Sequence, residues 1–268
     1  MTRSGTGSNL VLRIYMALFF AYMFLPLGVM LVAGFNNYSP PSVTVWQGGT
    51  LRWFSELWAD ERMWSGLENS IIIATAVILL SLPMGLSGAL LLSKMGGRTG
   101  GLLYAIMVSP LLTPGLIIGI STAIFWRYLG APAGLMTAIL AQSAFISSYS
   151  MLMFMARLQR QDTTLEEAAL DLGATPAQAF RRITLPFLRP TIITAAVIAF
   201  LQSFENYNTT IFSIGGQHTL VTEIGSRMRF GMSPMINAIG ILFILATLIG
   251  AVTWGMLRHH ERTLGDSL

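Results

Sequence analysis

Residues 201–212, LQSFENYNTTIF, put Gln202, Glu205, Asn206, Tyr207, Asn208 and Thr209 within one short reach of an otherwise apolar stretch. A carboxylate, three primary amides, a phenol and a hydroxyl at this density can hold a hydrophilic solute by hydrogen bonds. Glu205 with an aromatic neighbour also suits the charge of an amine. The same groups make no catalytic pair. The chain has no cysteine, which excludes thiolate metal sites and a cysteine nucleophile. Its histidines, His218, His259 and His260, have no carboxylate or histidine partners at metal-ligand spacing. No Ser/His or metal cluster falls inside an apolar run, so a membrane-embedded enzyme is disfavoured.

A second polar stretch, LEEAALDLGATPAQAFRRITLP at 165–186, carries three acids and the adjacent Arg181 and Arg182. Asp162, Thr163 and Thr164 precede Glu166 and Glu167 at capping-box spacing, which starts a helix with acids in its first turn. Gly173 can end that helix, and Thr175 before Pro176 reads as a second N-cap. Ala177, Phe180 and Ile183 then share one face until Pro186 marks the end. The expectation is two short helices set at an angle. Each is marginal alone in water and needs something to pack against.

The elements that carry these stretches follow from composition. With 53% hydrophobic and 10% charged residues, the chain cannot cover a compact globule with solvated side chains. Six apolar runs are long enough to cross a hydrocarbon core: Ile14–Phe35, Asn69–Ser93, Gly101–Trp126, Leu135–Ala156, Thr191–Phe212 and Met235–Leu257. The expected fold is an all-α membrane protein of six transmembrane helices. A segment 1–13 leads into a transmembrane domain 14–257, and a tail 258–268 follows. The first run exceeds a signal-peptide core and lacks a small-residue cleavage site after it, so it is expected to stay. If the N-terminus is cytoplasmic, eleven of the sixteen Lys and Arg lie in inside segments, so both termini are expected there. The loop 157–189, between the fourth and fifth spans, is then cytoplasmic. The outer loop Asn36–Glu68 holds Trp46, Trp53, Trp58 and Trp64, residues suited to a membrane interface.

Glu205, some fifteen residues beyond Pro190, falls roughly 22 Å along the fifth span, where a charge must face the bundle interior or water. It has two readings: contact with a passing solute, or a pair with Arg227 or Arg229 or a neighbouring subunit. Those arginines are read either as solvated loop residues or as contacts for acids of an external protein. Gly115 and Gly119 form a G-x3-G pair suited to close helix packing, and Pro83, Pro110 and Pro114 are expected to kink their helices. The net charge of +4 comes from residues scattered at the ends of apolar runs, which argues against nucleic acid.

Within 165–186, Glu167, Ala168, Ala169, Gly173, Ile183, Leu185 and Pro186 match the spacing E-A-A-x3-G-x9-I-x-L-P. The chain thereby resembles the membrane permease subunits of binding-protein-dependent ABC importers. It looks closest to the spermidine/putrescine-type branch through LRIYMALFFAYMFLPLGVMLVAGFNN, VSPLLTPGLIIGI and GMSPMINAIGILFIL. The resemblance implies that 157–189 is a coupling loop docking on a separate ATP-binding subunit, present in two copies. It assigns Leu165, Glu166, Glu167, Ala168, Ala169, Leu172, Gly173 and Ala174 to that contact, with capping as a competing role for Glu167. It also implies a second permease subunit, a periplasmic or extracellular solute-binding protein and residence in the bacterial inner membrane. ATP and magnesium would sit on the partner ATPase and no cofactor on this chain, which has no phosphate-binding G-x4-G-K-[ST] loop. The implied cargo is a polyamine or related organic cation. The alternatives are another solute, such as an organophosphonate, amino-acid derivative or inorganic ion, or an ion-gradient-driven secondary transporter.

Overall fold

The protein is described by a computed structural model covering residues 6–231 and 233–265. In chain order its helices are α1 (Thr6–Phe35), α2 (Arg52–Trp58), α3 (Glu61–Ser93), α4 (Gly97–Leu112), α5 (Gly115–Tyr128) and α6 (Leu135–Leu158). They continue with α7 (Thr164–Asp171), α8 (Pro176–Ala179), a π-helical turn at Phe180–Thr184, α9 (Leu185–Phe204), α10 (Thr210–Ser213), α11 (Leu220–Phe230) and α12 (Met235–Gly265). No strand occurs among the described residues; an isolated bridge joins Asn36 and Gly49.

Among the described residues four helical stretches are long and apolar enough to cross a membrane: Leu10–Phe35, Glu61–Ser93, Leu135–Leu158 and Pro176–Phe204. The pair α4 and α5 makes a fifth if it counts as one span, and Met235–Gly250 is a shorter apolar stretch. Two of the six expected runs are thus not continuous. The third breaks at Thr113–Pro114, where α4 and α5 meet at a 102° bend. Pro114 disfavours helical backbone in the residue before it, and Thr113 accordingly turns extended at φ −92°, ψ 128°. The fifth run stops at Phe204, well short of Phe212. Hydropathy averages over such breaks because the residues flanking them are as apolar as the helices. The second span, in contrast, begins earlier than expected, at Glu61 instead of Asn69.

The chain forms two compact units, one within residues 1–61 and 226–268, the other residues 62–225. In the first, α1 and α12 pack through reciprocal glycines. A Cβ on Gly34 would lie 2.5 Å from Ile241 Cδ1, and one on Gly240 would lie 2.5 Å from Met30 Sδ. The loop after α1 closes around Asn36, which is fully buried; its amide donates to the Ser42 and Val45 carbonyls and accepts from the Gln47 N–H. Trp53 is buried and donates its indole N–H to the Asn36 carbonyl, so it serves this loop core instead of the membrane interface expected of it. Trp46 and Trp58 are exposed. Arg227 and Arg229 lie in the last turn of α11, not in a loop, where cations complement the helix dipole. Arg227 clasps the Asp60 carboxylate through both guanidinium ends, at 2.6 and 3.0 Å.

The second unit is built around α6, whose buried face meets α3, α4, α5 and α9. Ile73, Val77, Ile139, Ile146 and Ala199 form one apolar layer, and Ala89, Met151, Phe154, Leu188 and Ala195 the next. Gly85 lets α3 lie on α6: a Cβ there would sit 2.7 Å from Ser150 Cβ and 2.8 Å from the Met151 backbone nitrogen. At the start of α3, Arg62 pairs with the buried Glu223 at 2.9 Å, and His218 bonds Ser65 and the Arg62 carbonyl.

Gly85→Val should lower the thermal midpoint of the detergent-purified protein, by the equivalent of about 1–3 kcal/mol, because backbone cannot retreat from the added methyls. Gly28→Ala, at a position with open space, is the control and should cost nothing measurable in the same unfolding scan.

Candidate functional site

The polar elbow of the second unit begins at Asp162, which accepts from the Thr164 hydroxyl at 2.7 Å and the Thr164 N–H at 3.0 Å. These bonds, the side-chain one first, hold its carboxyl below the usual value. A depressed folded-state pKa means the cap is complete above the ordinary carboxylate value and is lost as pH falls through the lowered one. Of the expected capping residues Asp162, Thr163 and Thr164, Asp162 makes the side-chain bonds, while Thr163 occupies the N-cap without one. The helix ends where Gly173 takes the left-handed conformation, φ +87°, as the sequence suggested. Thr175 then forms a complete capping box with Gln178.

The second helix does not end at Pro186. Pro186 has no N–H for the Arg182 carbonyl, and its ring pushes that carbonyl aside. The preceding turn widens, so that the Leu185 N–H reaches back five residues to the Phe180 carbonyl. The helix then runs on, giving one 29-residue rod from Pro176 to Phe204. Its buried positions near the root are Ala179, Thr184 and Leu188, while Ala177 on the expected face is exposed.

Of the elbow residues singled out by sequence, Leu165, Glu167, Ala168, Leu172 and Gly173 are exposed, and Leu172 keeps 89% of its surface. Ala169 and Ala174 are half-buried. Glu166 turns inward to accept from the Thr184 hydroxyl at 3.4 Å. Glu166 and Glu167 line a cavity of about 770 Å³ together with Lys94, Gln161, Phe180 and Thr184.

At the other end of the rod, Glu205 is the C-cap residue of α9, exposed, with φ −87° and ψ 0°. The Asn206 side chain accepts from the Thr209 N–H at 3.1 Å, offering the backbone a turn in place of the helix. One helical turn, α10, follows. Gln202, Glu205, Asn206, Tyr207, Asn208 and Thr209, all six of the residues proposed from sequence, line one cavity of about 330 Å³ with Gly115 and Phe145. No cation lines it. The Gln202 Oε1 atom is buried there without a hydrogen-bond partner among the described residues. Arg227, one of the partners considered for Glu205, pairs with Asp60. No cation pairs with Glu205 among the described residues.

Sequence reasoning missed the residue that braces this break. Gln142, on α6 and 1% exposed, donates to Thr210 Oγ1 at 2.7 Å and accepts from Ser203 Oγ at 2.5 Å, so it bridges both sides of the interruption. A glutamine in the middle of an apolar span was the available signal. The G-x3-G pair of α5 packs as expected, and its partner is the break itself: a Cβ on Gly115 would lie 2.9 Å from Thr209 Oγ1, and one on Gly119 would overlap the Thr209 carbonyl. His218 stands in a hydrogen-bonded pair, and no group of three or more His, Cys, Asp or Glu able to hold a metal occurs among the described residues.

Residues 81–259 match the family described as binding-protein-dependent transport system inner membrane component. The chain is similar to the putrescine transport system permease protein PotI of Escherichia coli K12, at 33% identity over 91% of this chain and 89% of that protein. It is also similar to the spermidine/putrescine transport system permease protein PotC of the same organism, at 24% identity over 94% and 95% of the two chains. Among solved structures, a chain of a bacterial ABC transporter involved in alginate import superposes with a TM-score of 0.72 at 16% identity, covering 94% of this chain and 97% of that one. A chain of the MetNI methionine ABC transporter gives 0.55 at 21% identity over 77% and 95%.

Gln142→Leu leaves the Ser203 and Thr210 hydroxyls without their shared partner and should destabilise the protein by about 1–3 kcal/mol. Thermal unfolding in detergent checks this. Hydrogen exchange should rise in 203–213 and stay unchanged in α3.

Proposed function

The chain belongs to the binding-protein-dependent transport system inner membrane component family, and we propose that it is one half of a permease pair that imports an organic cation of the polyamine class. In this reading the chain hydrolyses nothing. Two ATP-binding subunits, carrying ATP and magnesium, supply the work, and a periplasmic solute-binding protein delivers the cargo. The domain spans the bacterial inner membrane six times, with α12 as the last span, both termini cytoplasmic and the elbow 157–189 facing the ATPase. The nearly unburied apolar surface of α1 suits lipid or the second permease subunit.

One observation carries the reading: a single rod joins the elbow to the polar cavity. A helix of 29 residues is roughly 43 Å long, enough to link a cytoplasmic docking point to a cavity deep in the bilayer. A pull on the elbow therefore reaches Glu205 through one continuous helix. Docking falls to the exposed face of the elbow, where Leu165 and Leu172 offer apolar side chains in a polar setting and Glu167 offers charge. Small residues at Ala168, Ala169, Gly173 and Ala174 let a partner backbone approach closely. The cargo reading rests on the cavity's sign. The Glu205 carboxylate lines a space in which no described residue supplies a cation, an arrangement that suits an ammonium group. The names of the polyamine permeases it resembles support the same class.

Two experiments test this. Leu172→Glu should leave expression and unfolding temperature unchanged while the ATPase subunit is lost from the purified complex; an intact complex would remove the elbow as the docking point. Glu205→Gln should lower putrescine uptake by proteoliposomes about tenfold, the loss expected for one charge-assisted hydrogen bond. Uptake at the wild-type rate and affinity would remove Glu205 from the pathway.

A further inference from the structure

The spacing E-A-A-x3-G-x9-I-x-L-P leaves the position between Ile183 and Leu185 open, and Thr184 occupies it. Thr184 is 3% exposed, at the end of the π-helical turn at the root of the rod. Gln161 donates its amide to the Thr184 hydroxyl at 3.2 Å, and that hydroxyl donates to Glu166 Oε2 at 3.4 Å. A threonine has one hydroxyl proton, so the order is fixed: amide to hydroxyl to carboxylate. The three groups come from three pieces of chain, the turn after α6, the first turn of α7 and the root of the rod.

A second grip lies one turn further on. The Arg157 guanidinium stacks over the Phe187 ring at 4.0 Å and donates to the Phe187 carbonyl through Nε and Nη2, each at 3.3 Å. Both grips tie the rod to the end of α6 and the turn after it, but among the described residues side-chain hydrogen bonding from α7 reaches the rod only at Thr184. The joint sits where the helix is already widened by Pro186, so the rod is held there by side chains more than by its own backbone ladder.

We propose that Thr184 is a positioning residue for transport: its hydroxyl passes displacement of α7 to the rod that carries Glu205. This rests on the reading that α7 docks on the ATPase. Motion of α7 then shifts Glu166, and Thr184 follows because Gln161 keeps its hydroxyl oriented toward the carboxylate.

The test uses the full complex, with ATPase, second permease and binding protein, reconstituted in proteoliposomes, and reads putrescine imported per ATP hydrolysed. Thr184→Val keeps shape and removes the relay. It should retain the ATPase at wild-type stoichiometry and go on hydrolysing ATP, while putrescine per ATP falls roughly fivefold, the scale of one buried hydrogen bond. Thr184→Ser restores the hydroxyl and should restore the ratio, which a purely packing role would not predict. A wild-type ratio in Thr184→Val, or a ratio as low in Thr184→Ser, overturns the proposal. If Thr184→Val fails to assemble, the half-buried Gln161 decides: Gln161→Met should show the same uncoupling, and normal coupling overturns the relay. Absence of the ATPase from the wild-type preparation would instead defeat the docking reading, and the relay with it.

Discussion

Backbone N–H and C=O groups that lose their helical partners must find others, and the interruption at 205–209 depends on meeting that demand. A helix satisfies its own ladder; a break does not. Here Asn206 takes the Thr209 N–H, the Ser213 hydroxyl donates to the Thr209 carbonyl, and the Ile211 N–H returns to the Tyr207 carbonyl. Gln142 then fixes the two sides of the gap to α6, and the bare backbone of Gly115 and Gly119 lets α5 close over it. The polar residues of 201–213 thus divide into two sets. Ser203, Thr209, Thr210 and Ser213 are buried and hold the break together, whereas Glu205 and Asn208 are exposed and line the cavity. Bracing makes the cavity possible.

The same accounting governs the root of α9. Pro186 and Pro190 each remove a donor from the ladder, yet the helix runs through both. The π-helical turn absorbs the first by lengthening one hydrogen-bonded ring. Continuity survives because neighbouring side chains hold the weakened turn. Arg157 and Gln161, at the end of α6, grip it at Phe187 and Thr184. A proline that would break an isolated helix becomes a place where an otherwise rigid rod can be bent or turned by its neighbours.

That difference also explains what could be read from sequence. The apolar runs, the left-handed Gly173, the Thr175 cap and the small-residue face of α5 are local facts, decided by the residues themselves. The six cavity residues were legible because polar groups in an apolar stretch must face something other than lipid. Pro186 was misread because a proline's effect depends on whether packing can absorb it, and the packing partners lie on α6. Gln142, the Asp60–Arg227 pair and the burial of Trp53 join residues that nothing in the sequence connects. The chain bends at Pro114, where a kink was expected, but the size of that bend and the stop at Phe204 were invisible to hydropathy, which counts apolar residues without asking whether the chain stays straight.

Electrostatics give the rod a direction. A helix ends with carbonyls that lack intrahelical partners and carries a partial negative charge there. The last turn of α9 points that end at the cavity, and Glu205 adds a full charge of the same sign at the cap. On stability alone this is the wrong residue for the position, since a cation would complement the dipole. Among the described residues, no arginine or lysine lines the cavity to offset it. Under the proposed function, a passing organic cation supplies the opposite charge that this helix end and Glu205 lack.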